Sequence, residues 1–260
     1  ARMVEAKRPD GGFRFSRGYI GDSLIRTIRQ IVEFGVSDEM ADDRVLVRLR
    51  TVKPLKRGEI GEEREGRGVT TVTLEQFTAV VEHLEARQEI QTAGLLRFML
   101  LTGCRTQEAR RLRIGDVDRE EATATITEHK TSKKTGEAKV LPLSLACLAV
   151  IDRAVMAHGK RDDDAAVFRS SKGGGFGRAA IRTAVVTAQK RLDGAGGSWS
   201  PHAVRRLAVS LARGAVSLDA ARELAGHAAD AQTRDYDRQG REALARQAAE
   251  AIERAAFEVA

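Results

Sequence analysis

Apolar positions recur at helical spacing along most of this chain and alternate in only one short region. Near the N-terminal side, "DSLIRTIRQIVEFGVS" sets Leu24, Ile25, Ile28, Ile31 and Val32 on one face, which predicts an amphipathic helix stopped by Gly35. "SDEMADDRVLVRLR" follows, with Ser37 as the expected cap and acidic residues in the first turn of a second helix. "TLEQFTAVVEHLEARQ" opens on Thr73 with Gln76 three residues later, the signature of a capping box. "IQTAGLLRFMLLTG" is apolar on nearly every side and predicts a buried helix ending at Gly103; "RTQEARRLRIGDVD" reads as a short helix and a turn.

The alternating pattern is confined to "TATITEHK" and "EAKVLPLS", separated by the turn material "TSKKTG"; together they predict a β-hairpin. Helical spacing returns in "LSLACLAVIDRAVMAHG" and over 177–192, 201–213, 217–226 and 237–258, with "SSKGGGFG" as a loop. The expected fold class is therefore mostly α with one small antiparallel β-sheet, an α+β arrangement. No internal repeat or low-complexity tract is visible.

One stretch breaks the periodicity. "TVKPLKRGEIGEEREGRG" holds Pro54, four glycines and mixed charge with little to bury, which is linker composition. It divides the chain into a helical N-terminal region at 1–52, a linker at 53–68 and a larger domain at 69–260. The chain opens on Ala1 in mid-pattern, so we expect it to be a piece of something longer.

Composition narrows the partners. Among 260 residues there are 44 Lys plus Arg against 37 Asp plus Glu, a formal net charge of +7. An arginine-rich, basic balance suits a polyanion, although a high-GC coding bias would give the same arithmetic. The two cysteines, Cys104 and Cys147, are too few for a disulfide framework and have no metal-type spacing, which points to a reducing cytoplasm. No apolar run approaches the ~18 residues of a membrane span, and no signal peptide is visible.

Four stretches carry candidate chemistry. Arg105 and Glu108 form an R-x-x-E at a helix start, which by itself reads most simply as a surface i,i+3 pair. Yet a helix start already favours an anion, so a cation there suggests that an anion is received. "HKTSKKTGEAK" is a lysine-rich hairpin tip, bland if merely solvated. In "SPHAVRRL", Ser200 is the expected cap and Pro201 the first helical residue, and His202 and Arg205 lie one turn apart on one face. In "LAGHAADAQTRDYDR", His227 precedes Tyr236 by nine residues; the charged neighbours Arg234, Asp235, Asp237 and Arg238 argue against a core role for that tyrosine.

Taken together, these stretches resemble the tyrosine recombinases, or phage-type integrases. That family shows a "TG-x-R-x-x-E" stretch, a hairpin lysine, H-x-x-R, and "GH" followed by tyrosine nine residues on. The matching residues here are Arg105, Lys130, His202, Arg205, His227 and Tyr236, and the resemblance covers roughly 68–258. It implies a catalytic domain preceded by a partial helical core-binding region, because only the last helices of a DNA clamp are visible at about 20–50. It also implies site-specific cleavage and rejoining of double-stranded DNA, a monomer in solution that forms a tetrameric synapse on DNA, and a bacterial, nucleoid-associated location. The hairpin departs from the family in length and holds further lysines at Lys133, Lys134 and Lys139. Lys130 ends the first predicted strand, whereas Lys134 lies eight residues before Pro142, as in members with short turns.

The residue types fit the implied reaction. Attack on a phosphodiester adds negative charge, which two guanidiniums grip with forked, charge-assisted hydrogen bonds. Arg105 and Arg205 would be that clamp, with His202 and His227 as further donors and His202 able to accept the tyrosine proton. Tyr236 would attack as nucleophile, Lys130 (or in support Lys134) would protonate the leaving oxygen, and Glu108 would orient the cations. No metal and no cofactor are expected. Two other readings stay open at this point: a type IB topoisomerase relaxing DNA with the same residue types, and a non-enzymatic helix-turn-helix regulator built on "VSLDAARELAGHAADAQTRDY". For sequence readout, Arg182 and Lys190 on the 177–192 segment are the candidates. The apolar face Leu244, Ala248, Ala251, Ile252 and Ala255 suits either self-packing or docking on a neighbouring protomer.

Overall fold

The computed structural model describes residues 23–53, 71–127, 138–177, 179–224 and 238–257. The chain divides into two units, one ending at Val69 and the other beginning at Thr70. Among the described residues no helix is long and apolar enough to cross a membrane.

The first unit pairs α1 (Ile25–Ser37) with α2 (Asp43–Thr51). Two expected boundaries move. Gly35 lies inside α1 instead of ending it, and Ser37 is its last residue, with its hydroxyl donating to the Phe34 carbonyl at 2.7 Å. The reason is that the Gly35 carbonyl accepts the Met40 N–H at 2.7 Å and the Ala41 N–H at 3.0 Å, so the turn forms beyond the glycine. The cap of α2 is Asp42, whose carboxylate accepts the Arg44 N–H at 2.8 Å. Arg29 then ties the helices together, donating to the carbonyls of Leu49 (3.1 Å) and Val52 (2.6 Å) at the open end of α2.

The second unit opens with α3 (Leu74–Ala86), started by the expected Thr73–Gln76 capping box. Next comes α4 (Ile90–Thr102), apolar all round and buried at Leu95, Leu96, Phe98, Met99, Leu100 and Leu101. It is the central rod: α3 packs against it, and so do α6 (Leu145–His158), α8 (Pro201–Ala215) and α10 (Arg238–Phe257). Phe98 meets Phe168 with ring centroids 5.6 Å apart. Short α5 (Thr106–Arg111) leads into the sheet; α7 (Ala180–Arg191) packs on α3 and α8, and α9 (Leu218–Leu224) on α8 and α10.

The predicted hairpin is β2 (Thr123–Ile126) and β3 (Lys139–Pro142), antiparallel with Ile126 opposite Lys139. A two-residue strand, β1 (Val117–Asp118), adds to β2 and makes the sheet three-stranded. Two residues are too few to show a period, so the sequence pattern missed it. The expected hairpin tip falls at 128–137, outside the described residues.

The C-terminal helix packs within its own chain. Ala245, Ala248, Ala249, Ala251 and Ile252 are buried against α4, α8, α9 and β3, and the Glu253 carboxylate accepts the Ala146 N–H at 3.4 Å. Small residues let its backbone approach the rod closely.

α4 ends on Gly103, at φ +60°. A Cβ there would stand 2.9 Å from Leu224 Cγ. Gly159, at φ +67° after α6, has open space around the same position. Gly159→Ala should therefore cost only the ~1–2 kcal/mol of a left-handed residue. Gly103→Ala should add a packing clash, for roughly 2–5 kcal/mol in all. Denaturant melts of the two variants check this; equal losses would mean that Leu224 moves aside freely.

Candidate active site

The end of α4 sets the site. Because the rod is buried on all sides, the turn Gly103–Cys104–Arg105 is held by the core and has little freedom to move. Arg105 occupies the N-cap position of α5 with extended backbone. Glu108, in the first turn, accepts the Arg105 N–H at 2.9 Å through one carboxylate oxygen and the Arg105 guanidinium at 2.8 Å through the other. This is the R-x-x-E of the sequence, but it is no surface pair: Glu108 is 2% exposed and Arg105 31%.

Arg205 comes from the opposite direction. Trp199 is buried, donates its indole N–H to the Gly196 carbonyl at 2.8 Å, and packs 6.4 Å from Phe77. That anchors the loop before α8. Ser200 stands at the N-cap position without a side-chain capping bond, and Pro201 starts the helix with φ already set. One turn on, the buried Arg205 donates to the Gly103 carbonyl at 2.6 Å. Two guanidiniums thus converge on one turn, Arg105 at its exit and Arg205 on its carbonyl. His202, one turn before Arg205, is exposed at the same end of α8.

The electrostatics show the crowding. Burial, and next the like charge of Arg105, lower the Arg205 pKa, with Glu108 opposing. Burial, Arg206, Arg205 and Arg105 all lower that of His202, so its imidazole is biased to the neutral form. Burial works against ionised Glu108, but Lys139 and the Arg105 donors outweigh it and hold the carboxyl below its ordinary value. A carboxylate held ionised in this way orients cations and does not carry protons. Burial pushes the Cys104 thiol up to about 11, so the cysteine beside Arg105 stays protonated and is no nucleophile. Cys147 is buried too, and neither cysteine is in a disulfide.

Arg105, Glu108, His202 and Arg205 are therefore brought together. Lys130, Lys134, His227 and Tyr236 lie outside the described residues. Arg182 and Lys190 are exposed on α7. One participant escaped the sequence reading. Lys139, the first residue of β3, reaches Glu108 with its ammonium 3.5 Å from the carboxylate. It was visible only as one of several hairpin lysines; its strand register, opposite Ile126, could not be read without the neighbouring strand.

The phage integrase family model matches residues 70–242. The chain belongs to the phage integrase family. It is a tyrosine recombinase, an enzyme of site-specific DNA recombination. No curated protein matches the chain in sequence. Its fold is similar to that of a lambda integrase dimer bound to a COC' core site, with TM-score 0.58 and 13% identity over 89% of this chain and 86% of that one. It is similar to the Tn1549 transposon integrase in complex with circular intermediate DNA, with TM-score 0.58 and 14% identity over 85% of this chain and 75% of that one. It is also similar to the XerA recombinase, with TM-score 0.51 and 16% identity over 90% of this chain and 81% of that one. At these identities the likeness is one of fold.

Proposed function

We propose that this recombinase cleaves one strand of duplex DNA with Tyr236 and holds it as a 3′-phosphotyrosyl intermediate. The observation that carries the reading is the meeting of Arg105 and Arg205 at Gly103, with His202 alongside and a buried carboxylate beneath. Like charges gathered at this density repel unless an anion arrives, and a phosphodiester with two nonbridging oxygens fits two guanidiniums. The Tyr236 oxygen attacks phosphorus while its proton passes to neutral His202. The bond from phosphorus to the 5′ oxygen breaks, its electron pair stays on that oxygen, and a lysine ammonium supplies the proton. His227 adds a donor to the phosphate. One phosphodiester is exchanged for another, the 5′ oxygen on phosphorus being replaced by the tyrosine oxygen, so the link retains the energy for rejoining and no ATP is required.

The cations supply the charge that a metal would otherwise bring. Denaturation-resistant adduct between the full chain and duplex DNA should therefore form in excess EDTA at the untreated rate. Complete loss of adduct, restored by Mg²⁺, would overturn the reaction class.

Lys130 is our first choice for the general acid, with Lys134 the alternative. A substrate with sulfur in place of the bridging 5′ oxygen separates them, because a thiolate leaves without a proton. Lys130→Ala should cripple cleavage of normal DNA, by ~10²–10⁴-fold, and spare the sulfur substrate. The same pattern in Lys134→Ala with normal rates in Lys130→Ala would move the role to Lys134.

Double-stranded DNA would be held mostly through phosphates, with Arg182 and Lys190 on α7 as candidates for base contact. We read the α1–α2 unit as part of a core-binding region that clamps the DNA. We further read the working state as a tetramer on DNA assembled from monomers, in the cytoplasm of a bacterium and at its nucleoid, on behalf of a mobile element.

A further inference from the structure

We propose that Lys139 is a positioning residue, which ties the β2–β3 hairpin to the phosphate clamp through Glu108. The inference rests on the reading above, in which the hairpin carries the general acid. Lys139 pairs with Ile126 in the register of the hairpin, on the side next to the segment that holds Lys130 and Lys134. Its side chain is 15% exposed, and its ammonium stands 3.5 Å from Glu108 Oε2. That oxygen also accepts the Arg105 N–H at 2.9 Å. The Glu108 carboxylate is thus shared by the backbone and guanidinium of Arg105, at the N-cap of α5, and by an ammonium on β3, 31 residues beyond Glu108 in sequence.

A buried ammonium is unfavourable unless it is paired, and Lys139 spends its charge on this pairing. Burial lowers its pKa and Glu108 raises it, with Arg205 and Arg105 adding repulsion, so the lysine lies within the field of the clamp. Its bond to Glu108 holds it beneath the clamp, in the place of a support. Strand pairing and apolar packing do not set the position of the hairpin as closely as a shared ion pair does. A general acid must reach the leaving oxygen to within ~3 Å, and small displacements are costly.

The test uses the full chain and a nicked duplex carrying a sequence to which the wild-type protein attaches covalently in genomic DNA, with oxygen or sulfur at the 5′ bridging position. Lys139→Met keeps an unbranched side chain of nearly the same length and removes the charge. We expect it to cleave the oxygen substrate ~10- to 100-fold more slowly, with DNA affinity unchanged. On the sulfur substrate it should stay within about threefold of wild type, because no proton is then required. Lys139→Arg, which still pairs with Glu108, should recover most of the lost rate. Equal losses on both substrates, or no loss on either, would overturn the proposal. So would sulfur rescue of Lys139→Met combined with normal rates in both Lys130→Ala and Lys134→Ala, since Lys139 would then be the acid itself. A wild-type chain that forms no adduct would remove the underlying reading and this inference with it; adduct formation with unchanged Lys139→Met rates would remove only the inference.

Discussion

Tyr236→Phe is expected to bind duplex DNA as the wild type does and to leave no protein on it after denaturation. Phenylalanine keeps the ring and deletes only the attacking oxygen, so phosphate contacts and affinity should survive. Loss of a covalent nucleophile in an enzyme costs on the order of 10⁶ in rate, far below detection in an adduct assay. The alternatives are poor. The chain has 2 tyrosines, and the other, Tyr19, precedes the family match at 70–242. Cys104 and Cys147 are fully buried, and burial raises both thiols above their ordinary pKa. A denaturation-resistant DNA adduct in the Tyr236→Phe protein would therefore overturn the assignment and send the search back to those groups. A mixed result, with adduct lost but binding also lost, would show that the residue supports the fold of the site.

The second large effect belongs to Arg205. Arg205→Lys retains a cation at a buried position and discards the planar fork. The guanidinium has one arm on the Gly103 carbonyl at 2.6 Å and further N–H groups for other partners. An ammonium cannot hold a backbone carbonyl and two phosphate oxygens in that fixed geometry. Removing one preorganised donor from a transition-state site costs ~10²–10³ in rate. We expect a loss of that order in single-turnover cleavage, with DNA affinity nearly unchanged because many other phosphate contacts carry it. Thermal unfolding should move only slightly, since the Gly103 carbonyl keeps a donor. A rate within tenfold of wild type would mean that Arg205 holds the turn at Gly103 and does not grip the phosphate.

The sequence by itself determined whatever depends on neighbours within a turn or two of chain. The capping box at Thr73, the all-round apolar helix ending at Gly103, Pro201 as a helix start and the alternating strands of the hairpin all appear as expected. Each of these is a local choice whose physics is contained in a few consecutive residues. The family was also legible from the order of the candidate motifs, because chemistry restricts residue type more tightly than packing does. Even at this range two helix ends differ from expectation: Gly35 stays helical because its carbonyl accepts the Met40 and Ala41 N–H groups, and Asp42, not Ser37, caps α2.

Only the tertiary structure decided how those pieces meet. That Glu108 is buried, and so organises charge in place of pairing at the surface, follows from the core closing over α5. Arg205 finds Gly103 across 102 residues, and Leu224 fills the space that makes glycine necessary there. The C-terminal helix, whose apolar face suited either its own chain or a neighbour, lies on α4. Lys139 was one lysine among several until strand register set it against Glu108. Periodicity records which face of an element is apolar and carries no information about which distant element will cover it. That choice is made by shape and charge complementarity among all the elements at once, and it is this choice that assembles the site.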